Sequence, residues 1–244
     1  MKLIIDIGNT RVKTALFDDS GIAELITIED LSIDFLTELF SKHKNIRSAI
    51  MASVREVKQE ITGLLSSKTR FIWLDETTPL PFVNKYATPN TLGNDRVAAV
   101  AGASSLFPGQ NVLVIDAGSC ITYDFINATG EYLGGSISPG INMRFLALNS
   151  FTGKLPLINF DSGRQAKLTG TDTRESILSG VQNGVLQEVD GIINAYKQQY
   201  SEVNVVVSGG DYKYFDKYLK NNIFASPNIV LTGLNRILDF NEEN

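Results

Sequence analysis

An apolar strand that ends in Asp-x-Gly, followed by small polar residues and a returning strand, occurs twice in this chain. The first copy is Leu3-Ile4-Ile5 running into Asp6-Ile7-Gly8-Asn9-Thr10; Val12 to Phe17 returns from the turn, and Ile22 to Ile28 follows Gly21. The second is Val112-Leu113-Val114-Ile115 running into Asp116-Ala117-Gly118-Ser119; Ile121 to Ile126 returns, Ala128-Thr129-Gly130 punctuates, and Tyr132 starts a third strand. Short apolar runs bounded by Gly, Asn and Asp are strand signals. Two copies of one three-stranded unit call for a chain of two related halves. No shift in composition marks a linker, so the repeat alone sets the boundary, with residues 1–110 in one half and 111–244 in the other.

The segments between these strands carry helical spacing. Leu31, Phe35, Leu36, Leu39 and Phe40 predict a helix over 31–43 with Asp30 as its N-cap. Ser48 to Val54 reads as strand, Val57 to Leu65 as helix and Phe71 to Leu74 as strand. Pro79, Pro81 and Pro89 break a long loop before a helix from about Asn94 to Leu106. In the second half, Ile177, Leu178, Val181, Val185, Leu186, Val189, Ile192 and Ile193 give a long helix between Arg174 and Tyr196 a broad apolar face. Val203 to Val207 is then a strand that runs into Ser208-Gly209-Gly210-Asp211. Strands alternating with helices predict an α/β fold with crossover connections.

Composition narrows the partners. The 244 residues, 43% of them hydrophobic, suffice for one large core or two smaller ones. Lys and Arg total 22 against 27 Asp and Glu, a formal net charge of -5, and no basic stripe appears. A nucleic-acid partner held through its phosphates is not expected from that balance. No apolar run approaches the roughly 20 residues that span a bilayer, so no membrane partner is expected either. Met1-Lys2 leads directly into a strand that closes on Asp6, without the pattern of an export signal. Cys120 is the only cysteine, which excludes an internal disulfide and suits a reducing compartment. The cytoplasm is the expected location.

In each hairpin the strand delivers a carboxylate to its C-terminal end, and the glycine lets backbone approach a ligand without a Cβ in the way. Asn9 and Thr10 add hydrogen-bonding groups to the first turn, and Arg11 and Lys13 add positive charge. A carboxylate binds phosphate poorly by itself, but it holds Mg²⁺ through water, and Mg²⁺ bridges phosphates. A hairpin turn with a solvated Asp carries the same letters. Two copies, both at the end of an apolar strand, favour a pair of hairpins facing each other across a cleft around a polyphosphate. The Gly-Gly junction at 208–211 would let a base or sugar lie against backbone, although a plain helix-start turn reads the same way.

Duplicated Asp-x-Gly hairpins followed by a Gly-Gly junction resemble the acetate and sugar kinase, Hsp70 and actin superfamily, which implies duplicated ribonuclease H-like domains with a cleft between them. The ordered blocks DIGNTRVK, Gly93-Asn94-Asp95-Arg96, VIDAGSCITYDF, GGSISPGINM and GTDTRESILSG are similar, more narrowly, to type III pantothenate kinases. That resemblance covers Met1 to about Gly210 and implies ATP-dependent phosphorylation of pantothenate, the first step toward coenzyme A. It implies Asp95 as the catalytic base. It places Asp6, Ile7, Gly8, Asn9, Thr10, Arg11, Val12 and Lys13 in an ATP-phosphate loop, with Ser119 also on ATP where the family more often has Thr. Tyr86, Gly93, Asn94, Asp95, Arg96 and Thr173 would bind pantothenate. Asp116 would hold a monovalent cation, K⁺ or NH₄⁺, and Asp6 would hold Mg²⁺ through water. The family is dimeric, so a homodimer is implied, with part of the 174–196 helix face packed on the second subunit. The second half would then bind both phosphate and nucleoside.

Without the resemblance, Asp95 reads equally as a cap for the helix that follows it. Another small-molecule kinase or phosphatase of the superfamily, or a regulatory relative without catalysis, also fits the fold. His43, the sole histidine, sits between Lys42 and Lys44 and reads as a solvated helix-end residue. Cys120 has no basic neighbour in sequence and reads as a buried, inert thiol. Gly153-Lys154 is followed by Leu155 where a P-loop needs Ser or Thr, and no Cys/His cluster has zinc spacing.

Overall fold

Leu3, Ile4 and Ile5 are completely buried, as a run of large apolar residues at the centre of a doubly covered sheet must be. In the computed structural model, which describes residues 1–243, that run lies in β1 (Lys2–Ile7). It is followed by β2 (Val12–Asp18), β3 (Gly21–Ile28), α1 (Ile33–Lys42), β4 (Ser48–Ser53), α2 (Gln59–Lys68) and β5 (Arg70–Trp73). A short β6 (Val83–Asn84) and a 3₁₀ turn at Pro89–Thr91 lead to α3 (Asn94–Leu106). The chain continues through β7 (Asn111–Ala117), β8 (Cys120–Ile126), β9 (Glu131–Pro139), α4 (Ile141–Ser150) and α5 (Thr173–Gln199). It then passes through β10 (Val203–Ser208), α6 (Tyr212–Tyr218) and β11 (Phe224–Ala225), and α7 (Ile229–Glu243) follows.

The sequence repeat becomes a repeat of topology. In the first sheet the strand order is β3-β2-β1-β4-β5, with β1 to β3 an antiparallel meander and β4 and β5 parallel to β1. In the second, β9-β8-β7-β10-β11 repeats that order with the same directions. Each crossover is helical, because two parallel strands cannot be joined by a hairpin. On one face of the first sheet, Leu3, Ile5, Val12 and Leu16 pack with Leu36 and Leu39 of α1 and Ile61 and Leu65 of α2. In the second, Leu113, Ile115 and Tyr123 pack with Val181, Val185, Val189 and Ile193 of α5 and with Phe215 of α6.

The chain divides into two compact units, residues 1–106 with 229–244, and residues 107–228. The repeat had put everything from 111 onward into the second half. The difference is α7, which packs on α3, β1 and β4 of the first unit through buried Ile229, Leu231, Leu234, Ile237 and Leu238. The two helices touch backbone to backbone. A Cβ on Gly102 would meet the carbonyl of Ile229, and one on Gly233 would meet that of Ala98. At the start of α1 the cap is Ser32, whose Oγ accepts the Phe35 N–H at 3.1 Å. Asp30 lies two residues too early to reach that amide and faces Arg55 instead, at 3.2 Å.

Candidate active site

The first hairpin is tied down by its flanks. Ile7 and Val12 face each other across β1 and β2 and are both buried, so the Gly8–Arg11 turn is anchored in the core at each end. Asp6 is paired in register with Lys13. Within the turn the Gly8 N–H donates to Arg11 O at 3.0 Å, while Asn9, Thr10 and Arg11 are exposed. Residues 8–11 thus form an exposed turn at the C-terminal end of β1, the position where open α/β sheets bind ligands.

In the same unit the Gly93–Arg96 segment starts α3. Gly93 has no room for a Cβ, because the Asp95 carboxyl folds back against it. Asp95 Oδ1 accepts the Arg96 N–H at 2.9 Å, which fixes the rotation of the carboxyl. Asn94 Nδ2 donates to Leu74 O at 2.8 Å and holds the helix start against the end of β5. Arg96 is almost fully buried, and its guanidinium lies 5.5 Å from the centre of the Tyr86 ring, a cation–π distance. Tyr86 and Arg96, ten positions apart across the loop and the 3₁₀ turn, are therefore brought together. Thr173 is exposed in the first turn of α5, in the second unit, and is not among these residues. The helix start beside it is capped by Asp172, whose carboxylate accepts the Glu175 N–H at 2.7 Å.

The second hairpin has backbone packed on two of its sides, while Ser119 at its tip is exposed. Asp116 pairs with Thr122, and the Gly118 N–H closes the turn on Cys120 O at 2.8 Å. Gly140, at the end of β9, rests on this turn: its N–H donates to Ser119 O at 3.2 Å, and a Cβ there would strike the carbonyls of Gly118 and Ser119. On the other side Gly209, at φ +89°, lies against the backbone of Ala117, and the Asp211 N–H donates to Ala117 O at 3.0 Å. Parallel pairing places Ser208 beside Asp116. The Gly-Gly junction therefore sits against the second hairpin, as a joint nucleotide site requires. Nothing stands within 4 Å of where a Cβ would lie on Gly118 or Gly210, so both present open backbone. Burial pushes the Asp211 carboxyl from 3.8 up to about 6. In the sequence Gly140 stands within the block GGSISPGINM, and the Pro139-Gly140 pair is its one signal there.

The donor set is chemically suited to hard cations, since Asp6 and Asp116 offer carboxylate oxygens at strand ends. Among the described residues no group of three or more His, Cys, Asp or Glu is gathered to cage a metal. Mg²⁺ with a nucleotide usually takes one or two protein carboxylates and completes its shell with water and phosphate, so a single strand-end Asp is a ligand of the right kind. Two sequence expectations are corrected here. His43 is mostly buried, with Nε2 3.0 Å from Glu24 Oε2, because the end of α1 folds onto β3. Cys120 is partly exposed, because it ends the turn rather than entering the core.

Two sheets of one topology, each with an Asp-x-Gly hairpin at the end of its first strand, have the fold of the acetate and sugar kinase, Hsp70 and actin superfamily. A glucokinase from an Antarctic psychrotroph superimposes with a TM-score of 0.53 at 13% identity, covering 98% of each chain. A conserved Campylobacter jejuni protein described as a Baf family transcriptional activator gives 0.65 at 22% identity, covering 99% of this chain and 100% of its own. Within that superfamily, the sequence model of type III pantothenate kinases matches residues 2–195. A type III pantothenate kinase of Bacteroides fragilis is 47% identical over 242 residues, 99% of this chain and 98% of the relative. The chain belongs to the type III pantothenate kinase family.

Proposed function

We propose that this protein transfers the γ-phosphoryl group of ATP to the primary hydroxyl of pantothenate, giving 4'-phosphopantothenate for coenzyme A synthesis. One observation carries the reading: 47% identity over nearly the whole length of a type III pantothenate kinase, on a fold that keeps Asp-x-Gly at the same strand end in both units. Asp6 to Lys13 hold the ATP phosphates, with Mg²⁺ on Asp6 through water, and Ser119 contacts ATP. Asp116 holds the monovalent cation, K⁺ or NH₄⁺. Bound cations supply charge neutralisation, and the protein supplies alignment, which dominates phosphoryl transfer. Asp95 accepts the hydroxyl proton. Its orientation by the Arg96 N–H supports that role, since a base must be aimed before it can act. Gly93, Asn94 and Arg96 with Tyr86 bind pantothenate, and Thr173 makes a further substrate contact. A cytoplasmic homodimer completes the reading.

Turnover of a panel of hydroxylated acceptors with ATP, with and without K⁺, tests it. Pantothenate should stand out, and K⁺ should raise the rate. Asp95→Asn should lower kcat by about 10²–10⁴-fold while the thermal midpoint holds. Equal rates across the panel would point to a different small-molecule kinase. No ATP turnover in the wild type would favour a regulatory protein, the role described for the Campylobacter jejuni neighbour.

A further inference from the structure

Arg144, in the first turns of α4, turns back on the start of its own helix. Its Nε–H donates to Pro139 O at 2.9 Å, and Nη2 reaches Ser138 Oγ at 2.9 Å. The same Nη2 meets both carboxylate oxygens of Glu188 on α5, at 3.0 and 2.8 Å. Glu188 Oε1 also accepts the Tyr123 hydroxyl of β8 at 3.1 Å. Burial and the Glu188 carboxylate push the Tyr123 hydroxyl up, so it remains a donor. Side chains of Arg144 and Glu188 are largely covered, at 22% and 28% exposure, and a planar guanidinium fixed at both ends is stiff.

What Arg144 grips is the corner on which the second hairpin rests. Ser138 and Pro139 pair with Ile121 and Cys120, and the next residue, Gly140, hydrogen-bonds to Ser119 O. A tie between α4 and α5 alone would need only the Glu188 contact. The bonds to Ser138 and Pro139 carry the hold down to the turn. We propose that Arg144, braced by Glu188, is a positioning residue that sets the Gly118–Ser119 turn for nucleotide binding. This inference rests on the reading that Ser119 serves ATP. Loss of the brace frees the corner, and a turn displaced by a fraction of an ångström aligns phosphate poorly.

The test measures the Kd of Mg·ATP by calorimetry, and KM for ATP and pantothenate, in the wild type, Arg144→Ala, Arg144→Lys and Ser119→Ala. Arg144→Ala should weaken ATP binding about tenfold or more, since small misplacements are that costly. KM for pantothenate should stay within about twofold, the mark of a change confined to one substrate. Arg144→Lys, which keeps the charge without the fork, should fall between wild type and alanine. Were Arg144 merely structural, kcat would drop with the folded fraction and both KM values would hold, which overturns the proposal. If Arg144→Ala does not fold, Glu188→Gln carries the test: weakened ATP binding supports the proposal, and unchanged binding in a folded variant refutes it. Unchanged ATP affinity in Ser119→Ala sinks the nucleotide role of the turn and this inference with it. Weakened binding in Ser119→Ala beside normal binding in Arg144→Ala sinks the inference alone.

Discussion

Asp211 shows what a single residue can carry. Its N–H reaches Ala117 O at 3.0 Å, which draws its carboxyl under cover and pushes it from 3.8 up to about 6. The folded state therefore holds a proton that the unfolded chain has released. The stabilisation is fully present below about pH 3.8 and is lost as pH rises through about 6. Asp211→Asn should match the wild type at pH 3.5 and become the more stable of the two between about pH 4 and 6, as urea midpoints would show. The gap should fall short of the full shift, because the carboxyl is partly exposed and water screens it. A wild type that gains on the variant over that window would contradict this. Legibility at this scale was uneven. Asp6, Gly8, Asp116 and Gly118 could be read from sequence because the repeat doubled their signal. Gly140 and Arg144 could not, since a seat on the Ser119 carbonyl and the bonds to Glu188 join segments far apart along the chain. His43 was misjudged for the same reason: its lysine neighbours are adjacent in sequence, but Glu24 is adjacent in space.

Among the elements, α7 departs most from its sequence position. It follows the second unit and packs in the first, against α3, at a contact that two glycines make close. Gly233→Ala places a methyl group on the Ala98 carbonyl and should destabilise the protein by about 1–3 kcal/mol, the cost of overfilling a packed contact. Hydrogen exchange should then quicken in α3, β1 and β4 and leave β7, β8 and β10 as they were. Uniform loss of protection would mean that the units unfold as one. Strands and the α3 helix were readable because period and punctuation agree there, and Asn94–Leu106 has the bounds that its pattern predicts. Helix α4 was missed, being short and mixed in polarity, with Ile141 and Phe145 as its only buried residues.

Across the whole molecule the duplication is the organising fact, and the apolar budget of each unit follows from it. The broad face of α5 fills the core of its own unit, where Ile177, Val181, Val185, Leu186, Val189 and Ile193 are buried. The most exposed apolar side chains of that unit are instead Ile137, Phe151 and Leu168. Leu178 and Ile192 of the α5 face are only partly buried, and they are what it could offer the homodimer proposed above. Sedimentation should give twice the 26.7 kDa chain mass, and a monomer at micromolar concentration would reject the dimer.

The sequence alone determined the two strand units, the Asp-x-Gly hairpin that each carries and the family, because periodicity and Asp-x-Gly are local and were written twice. Only tertiary structure decided that α7 returns to the first unit, that Tyr86 meets Arg96, and that Gly140 and Gly209 bracket the second turn. Those outcomes depend on close packing between segments whose separation along the chain carries no periodic signal.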